Sequence, residues 1–95
     1  MELTEAIKDY VEKKVFSLEK MCERFDPCDI AVEVGKTTEH HKNGKVFFAE
    51  FNITIPGGML RSQSISEDLY ASIDKAKDDV KRQLIERKER LTATR

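Results

Sequence analysis

Ile7, Val11, Val15, Leu18, Cys22 and Phe25 recur at steps of three and four residues, which lines one face of an α-helix with apolar groups. Thr4 stands ahead of that stripe as its N-cap, and Asp26-Pro27 ends the helix near Phe25, because the residue before a proline disfavours helical backbone. The period then changes to two. Ile30, Val32 and Val34 alternate with Ala31 and Glu33, as in a half-buried strand. Lys42-Asn43-Gly44-Lys45 carries the Asn-Gly pair favoured in tight hairpins. Beyond it Phe47, Ala49, Phe51, Ile53 and Ile55 alternate with Glu50, Asn52 and Thr54 in the clearest strand of the chain. Pro56-Gly57-Gly58 turns the chain again, and Met59 to Ile65 reads as a third, more polar strand antiparallel to the second. Ser66, followed by Glu67 and Asp68, caps a last helix whose stripe of Leu69, Ile73, Ala76, Val80, Leu84 and Leu91 runs to the end.

The predicted order is α-β-β-β-α, and the fold class is α+β: a two-layer sandwich in which an antiparallel β-meander is covered on one face by two amphipathic helices. Its 95 residues suit a single domain spanning 1–95. A hydrophobic fraction of 39% with only four Gly and two Pro is too apolar and too unbiased for a disordered chain. The longest apolar run, Val46-Phe47-Phe48-Ala49, is far short of the about 20 residues of a membrane span, and no signal peptide precedes it. The cytosol is the expected compartment, with no membrane partner. Cys22 and Cys28 are too widely spaced for a CxxC pair and too few for a disulfide framework, so they read as reduced thiols, Cys22 packing like any small hydrophobe.

Charge changes the picture through its distribution. The net charge is -1, but residues 1–35 hold five basic against nine acidic groups, whereas Val80 to Arg95 holds six basic against two acidic. A basic C-terminal end is an electrostatic footprint for phosphate, and equally a complement to the helix dipole. Catalytic candidates are few. His40-His41 sits in the hairpin loop, where neighbours on a strand point to opposite faces and do not chelate one ion. Glu67, Asp68, Asp74, Asp78 and Asp79 are scattered around a helix, and neither a glycine-rich phosphate loop nor a nucleophile motif is present. The chain reads as a binding module, not an enzyme, with no metal, cofactor or small-molecule substrate.

The stretch Ser66-Glu67-Asp68-Leu69-Tyr70-Ala71-Ser72-Ile73-Asp74, followed by Arg82-Gln83-Leu84, resembles the second-helix signature of the bacterial ribosome hibernation-promoting factors, a family that includes the ribosome-associated inhibitor. Leu3-Thr4-Glu5-Ala6-Ile7, Leu18-Glu19-Lys20, Ala49-Glu50-Phe51-Asn52-Ile53 and Pro56-Gly57-Gly58 match in the same order, so the resemblance covers nearly the whole chain. It implies a bacterial cytoplasmic stress or stationary-phase protein that binds the small (30S) ribosomal subunit and its 16S rRNA within the 70S ribosome. There it would lie between head and body, in the path of mRNA and of A- and P-site tRNA. Long family members add a domain that pairs ribosomes; a chain of this extent is not expected to pair them directly.

The resemblance also assigns RNA-binding residues: Lys14 and Lys20 on the first helix, Lys36 after the first strand, and Arg82, Lys88 and Arg90 on the second helix. Lys14 falls inside the apolar stripe, where a core would want a hydrophobe, and is expected to reach into the groove between the helices. Tyr70 either stacks on a base or packs at the core rim. This sequence departs from the family at three points, one of which is its net charge of -1, low for an RNA binder. The family fold opens with a strand ahead of the segment matched by Met1-Glu2-Leu3-Thr4: either that strand precedes Met1, or the sheet has three strands and an edge open to self-association. Asp79 and Glu86 stand where family members commonly carry lysine, which shifts the expected RNA face toward Lys77, Lys81 and Lys88, spaced four and seven apart.

Two other readings are open, the first of which shares this element order. A double-stranded RNA-binding domain grips phosphates with lysines at the start of its second helix, where this chain has Glu67-Asp68. A protein-interaction module would use the open edge and a face formed by Met59, Arg61 and Gln63.

Overall fold

A computed structural model describes residues 2–37 and 46–93, with the side chains of residues 92 and 93 left aside. Its elements are α1 (Glu5–Met21), a short 3-10 turn (Cys22–Arg24), β1 (Asp29–Thr37), β2 (Val46–Ile55), β3 (Gly58–Ser66) and α2 (Leu69–Ala93). The α+β sandwich read from the sequence is the fold observed. The Asn43-Gly44 turn and His40-His41 lie outside the described residues.

Thr4 caps α1 as its position predicts, its hydroxyl accepting from the Ile7 amide at 3.2 Å. The helix gives way at Met21 to the 3-10 turn, in which the Phe25 amide donates to the Cys22 carbonyl at 2.8 Å, so the regular helix is one turn shorter than the stripe suggests. The start of α2 also differs. Ser66 remains in β3, opposite Phe47, and Asp68 is the cap, its carboxylate accepting from the Tyr70 amide at 3.0 Å. Cys22 and Cys28 are not separate thiols: their sulfurs are paired as a disulfide, with α-carbons 6.0 Å apart. The 3-10 turn folds the chain back between them, which spacing alone does not reveal.

The sheet order is β1-β2-β3, fully antiparallel. Phe51 at its centre pairs with Val32 on one side and Ser62 on the other. The helix-facing set Ala49, Phe51, Ile53 and Ile55 meets Leu18 of α1 and Ile73, Ala76, Val80 and Leu84 of α2 in one buried core. The polar character of β3 has a packing reason: small inward serines let α2 come close, and they are satisfied there. Ser62 donates to the Ala76 carbonyl at 2.6 Å, and Ser72 of α2 donates to the Phe47 carbonyl at 3.1 Å. At the β2–β3 turn Gly57 sits at φ +85°, the left-handed position that follows proline in a type II turn. Leu91 does not extend the stripe but is 55% exposed. The Arg87 guanidinium already lies against Gly58, at the end of the sheet, one turn before Leu91. Among the described residues no helix is long and apolar enough to cross a membrane.

Candidate nucleic-acid interface

Tyr10 and Lys14 of α1 meet Tyr70 and Asp74 of α2, so the two helices run side by side in the same direction. The Tyr10 hydroxyl donates to Asp74 Oδ1 at 2.7 Å, and Lys14 Nζ lies 3.1 Å from the same oxygen. Lys14 Nζ also sits 4.7 Å from the centre of the Tyr10 ring, a cation–π contact, and Tyr10 meets Tyr70 edge-to-face at 4.8 Å. Lys14 is thus in the interhelical groove that its interruption of the apolar stripe indicates. Tyr70 is at the rim of that groove.

The electrostatics of the cluster are mutual. The hydrogen bond from Tyr10, then the bond and charge of Lys14 and the charge of Lys77, hold the Asp74 carboxyl below the usual carboxylate range against the pull of partial burial. The bond to Asp74 raises the Lys14 ammonium, and the same carboxylate raises the Tyr10 phenol. A depressed carboxyl stabilises the fold above its unfolded pKa and loses that contribution as pH falls through its folded value. Asp74→Asn is therefore expected to melt lower than the parent near neutrality, with the gap closing below about pH 4; thermal midpoints from about pH 7 to about pH 3 test this, and a gap independent of pH contradicts it.

Helical geometry sorts the other candidates. At about 100° per residue, Lys77, Lys81 and Lys88 share the flank of α2 that carries Tyr70 and Asp74, facing the groove, whereas Arg82 lies on the outer face. Lys77 is mostly covered, and its nearest carboxylate is the adjacent Asp78 at 3.9 Å. Arg82 is exposed and pairs with Asp79 at 3.6 Å, so the acid that departs from the family pattern partly neutralises a cation that follows it. Arg90 falls toward the β3 side of α2 by the same helical count. Lys20 lies over the exposed Phe16 ring at 5.0 Å on the last turn of α1. Lys36 is exposed near the end of β1, opposite Phe47. By helical count Lys77, Lys81 and Lys88 share the flank of α2 on which Asp74 holds Lys14, with Lys88 roughly 21 Å past Asp74 and so beyond the end of α1 at Met21, while Arg82, Arg90, Lys20 and Lys36 lie elsewhere. Tyr10 and Asp74, which hold Lys14 in place, are not singled out by sequence reasoning. The one local signal is Tyr10, a turn before Lys14 on the same helix face.

Elsewhere the polar groups are occupied with one another. On the open sheet face Glu50 accepts from Asn52 at 2.9 Å, Arg61 at 3.3 Å and Gln63 at 3.4 Å, and the Asn52 bond leads in holding its carboxyl below the usual range. Gln83 of α2 accepts from the Arg61 amide at 3.4 Å and donates to its carbonyl at 2.8 Å, covering the β3 edge as a neighbouring strand would. The start of α2 is acidic, with Asp68 engaged as a cap, which disfavours a phosphate grip there. Among the described residues no group of three or more His, Cys, Asp or Glu could hold a metal ion.

Residues 1–92 match the family described as Sigma 54 modulation protein / S30EA ribosomal protein. The chain is 31% identical over 91 residues to the ribosome hibernation promoting factor of Klebsiella oxytoca, which spans 96% of this chain and 87% of that protein. It is also 31% identical over 84 residues to the ribosome hibernation promotion factor of Deinococcus radiodurans, covering 88% of this chain but only 42% of that longer protein. Among solved structures, the N-terminal domain of Thermus thermophilus Protein Y superposes with a TM-score of 0.61 at 33% identity, covering 88% of this chain and 84% of that one.

Proposed function

Because the chain belongs to the Sigma 54 modulation protein / S30EA ribosomal protein family, we propose that it is a cytoplasmic ribosome hibernation factor of a bacterium, one that holds ribosomes idle under stress or in stationary phase. The hibernation role is supported by the names of its relatives. At finer grain, the proposed target is the 16S rRNA of the small subunit at the decoding region between head and body, where the protein excludes mRNA and A- and P-site tRNA and so inhibits translation. The role is one of binding, with no reaction to catalyse.

The observation that carries the site is the groove between α1 and α2, where Lys14 is fixed by Asp74 and Tyr10 and the flank bearing Lys77, Lys81 and Lys88 continues the basic line. Folded RNA is recognised by shape and by phosphate contacts, which a rigid surface with pre-placed cations provides. Co-sedimentation with small subunits across a salt series, with and without mRNA and initiator tRNA, tests the reading. Binding is expected to weaken steeply, about tenfold or more between about 50 and 200 mM salt for a few phosphate contacts, and to be displaced by the two RNAs. Absence of binding at low salt overturns it.

A further inference from the structure

We propose that Cys22 and Cys28 form a reversible dithiol–disulfide couple, a redox clasp across the corner where α1 passes into β1. Such a clasp goes beyond the ribosomal reading and does not depend on it. The two sulfurs are paired at a sequence separation of six, and an α-carbon separation of 6.0 Å lies within the range of disulfides. The corner is built for that approach: the 3-10 turn at Cys22–Arg24 reverses the chain, and the reversal is held by the Phe25 amide bonded to the Cys22 carbonyl as well as by the sulfurs.

Access to the pair is one-sided. Cys22 is packed into the core beside Phe25, whereas Cys28 is half-buried, and both border an open depression of about 520 Å³. Exchange therefore enters through Cys28. Its thiolate attacks one sulfur of a small disulfide, releasing one small thiolate and leaving a mixed disulfide on Cys28. The Cys22 thiolate then attacks the Cys28 sulfur and expels the second small thiolate. The protein gives up two electrons and two protons, and the small disulfide takes them up as two thiols; a reducing dithiol runs the sequence backwards. Four carboxylates, Glu19, Glu23, Asp26 and Asp29, line the depression, and their field selects the reagent by charge. A cationic disulfide is drawn in, and an anionic one such as oxidised glutathione is repelled. Closing the loop restricts the unfolded chain, so the oxidised form is the more heat-stable, and the clasp braces the last turn of α1, which bears Lys20.

The test uses the full chain alone, equilibrated with cystamine and cysteamine at varied ratio, quenched with iodoacetamide and weighed intact. At oxidising ratios the expected product is unalkylated and two hydrogen atoms lighter than the dithiol. At reducing ratios it carries two alkyl groups. Oxidation by cystamine at low salt is expected to be at least about tenfold faster than by oxidised glutathione, with the difference shrinking as salt rises. The thermal midpoint of the oxidised form should lie higher by roughly 10 °C, a difference absent in Cys28→Ser. Two alkyl groups at every ratio, arrest at the mixed disulfide, equal rates with the two reagents, or equal midpoints for the two forms of the parent would each overturn the clasp as described. No ribosome enters the measurement, so its failure leaves the hibernation reading standing.

Discussion

Arg82→Glu combined with Lys88→Glu is expected to weaken binding to small ribosomal subunits by roughly 100-fold or more, since a hydrogen bond to a charged partner contributes about 1.5–3 kcal/mol and two are replaced by repulsion. The salt dependence should flatten at the same time, by about one unit of slope for each phosphate that is no longer neutralised. At Arg82 the fold has little at stake. Arg82 is exposed, and its contact with Asp79 is a surface pair of the kind that contributes about 1 kcal/mol at most. The new carboxylates would join Asp79, Glu86 and Glu89 along α2, and like charges one turn apart cost only a few tenths of a kcal/mol each. An unchanged circular dichroism spectrum with abolished binding is the expected combination. Full binding by the double variant removes these two residues from the interface and leaves the groove set of Lys14, Lys77 and Lys81 to carry it.

Most of this architecture is legible in the sequence because the side chains that build it obey one period at a time. In β2 the odd-numbered residues from Phe47 to Ile55 face the helices, and the alternation that predicts the strand also predicts that face. The positions that mislead are those where one residue type has two uses. Ser66 has the chemistry of a cap, yet its backbone is held in β3, and Asp68 two residues on does the capping. Leu91 keeps the helical period, but a period carries no information about where the sheet underneath it stops. The five residues between Cys22 and Cys28 fit an extended segment as readily as a turn, and only the 3-10 reversal brings the sulfurs together. The site follows the same rule. Lys14 is visible as a cation in an apolar stripe, whereas its partner Asp74 lies sixty positions away in sequence. Nothing local to either helix indicates that the two run in the same direction with these residues level.

Phe51→Ala should produce the largest loss of stability of any single truncation in the core. The ring is fully buried at the centre of the middle strand, flanked by Val32 and Ser62, and no water reaches it. Removing a buried phenyl group forfeits its transfer free energy and leaves a cavity that β-sheet hydrogen bonding on both sides prevents from collapsing, together about 3–5 kcal/mol. A domain of this length is stabilised by only about 5–14 kcal/mol, so the variant loses from about a fifth to all of its margin, with a thermal midpoint lower by roughly 15–30 °C. Phe16→Ala provides the contrast within the same residue type. Its ring is 60% exposed and touches the Lys20 ammonium, so truncation should cost under about 0.5 kcal/mol. Denaturant titration of both variants measures the two values directly. A Phe51→Ala cost below about 1 kcal/mol would mean that the sheet relaxes into the space, and the rigid α/β core that fixes the interhelical groove would have to be abandoned.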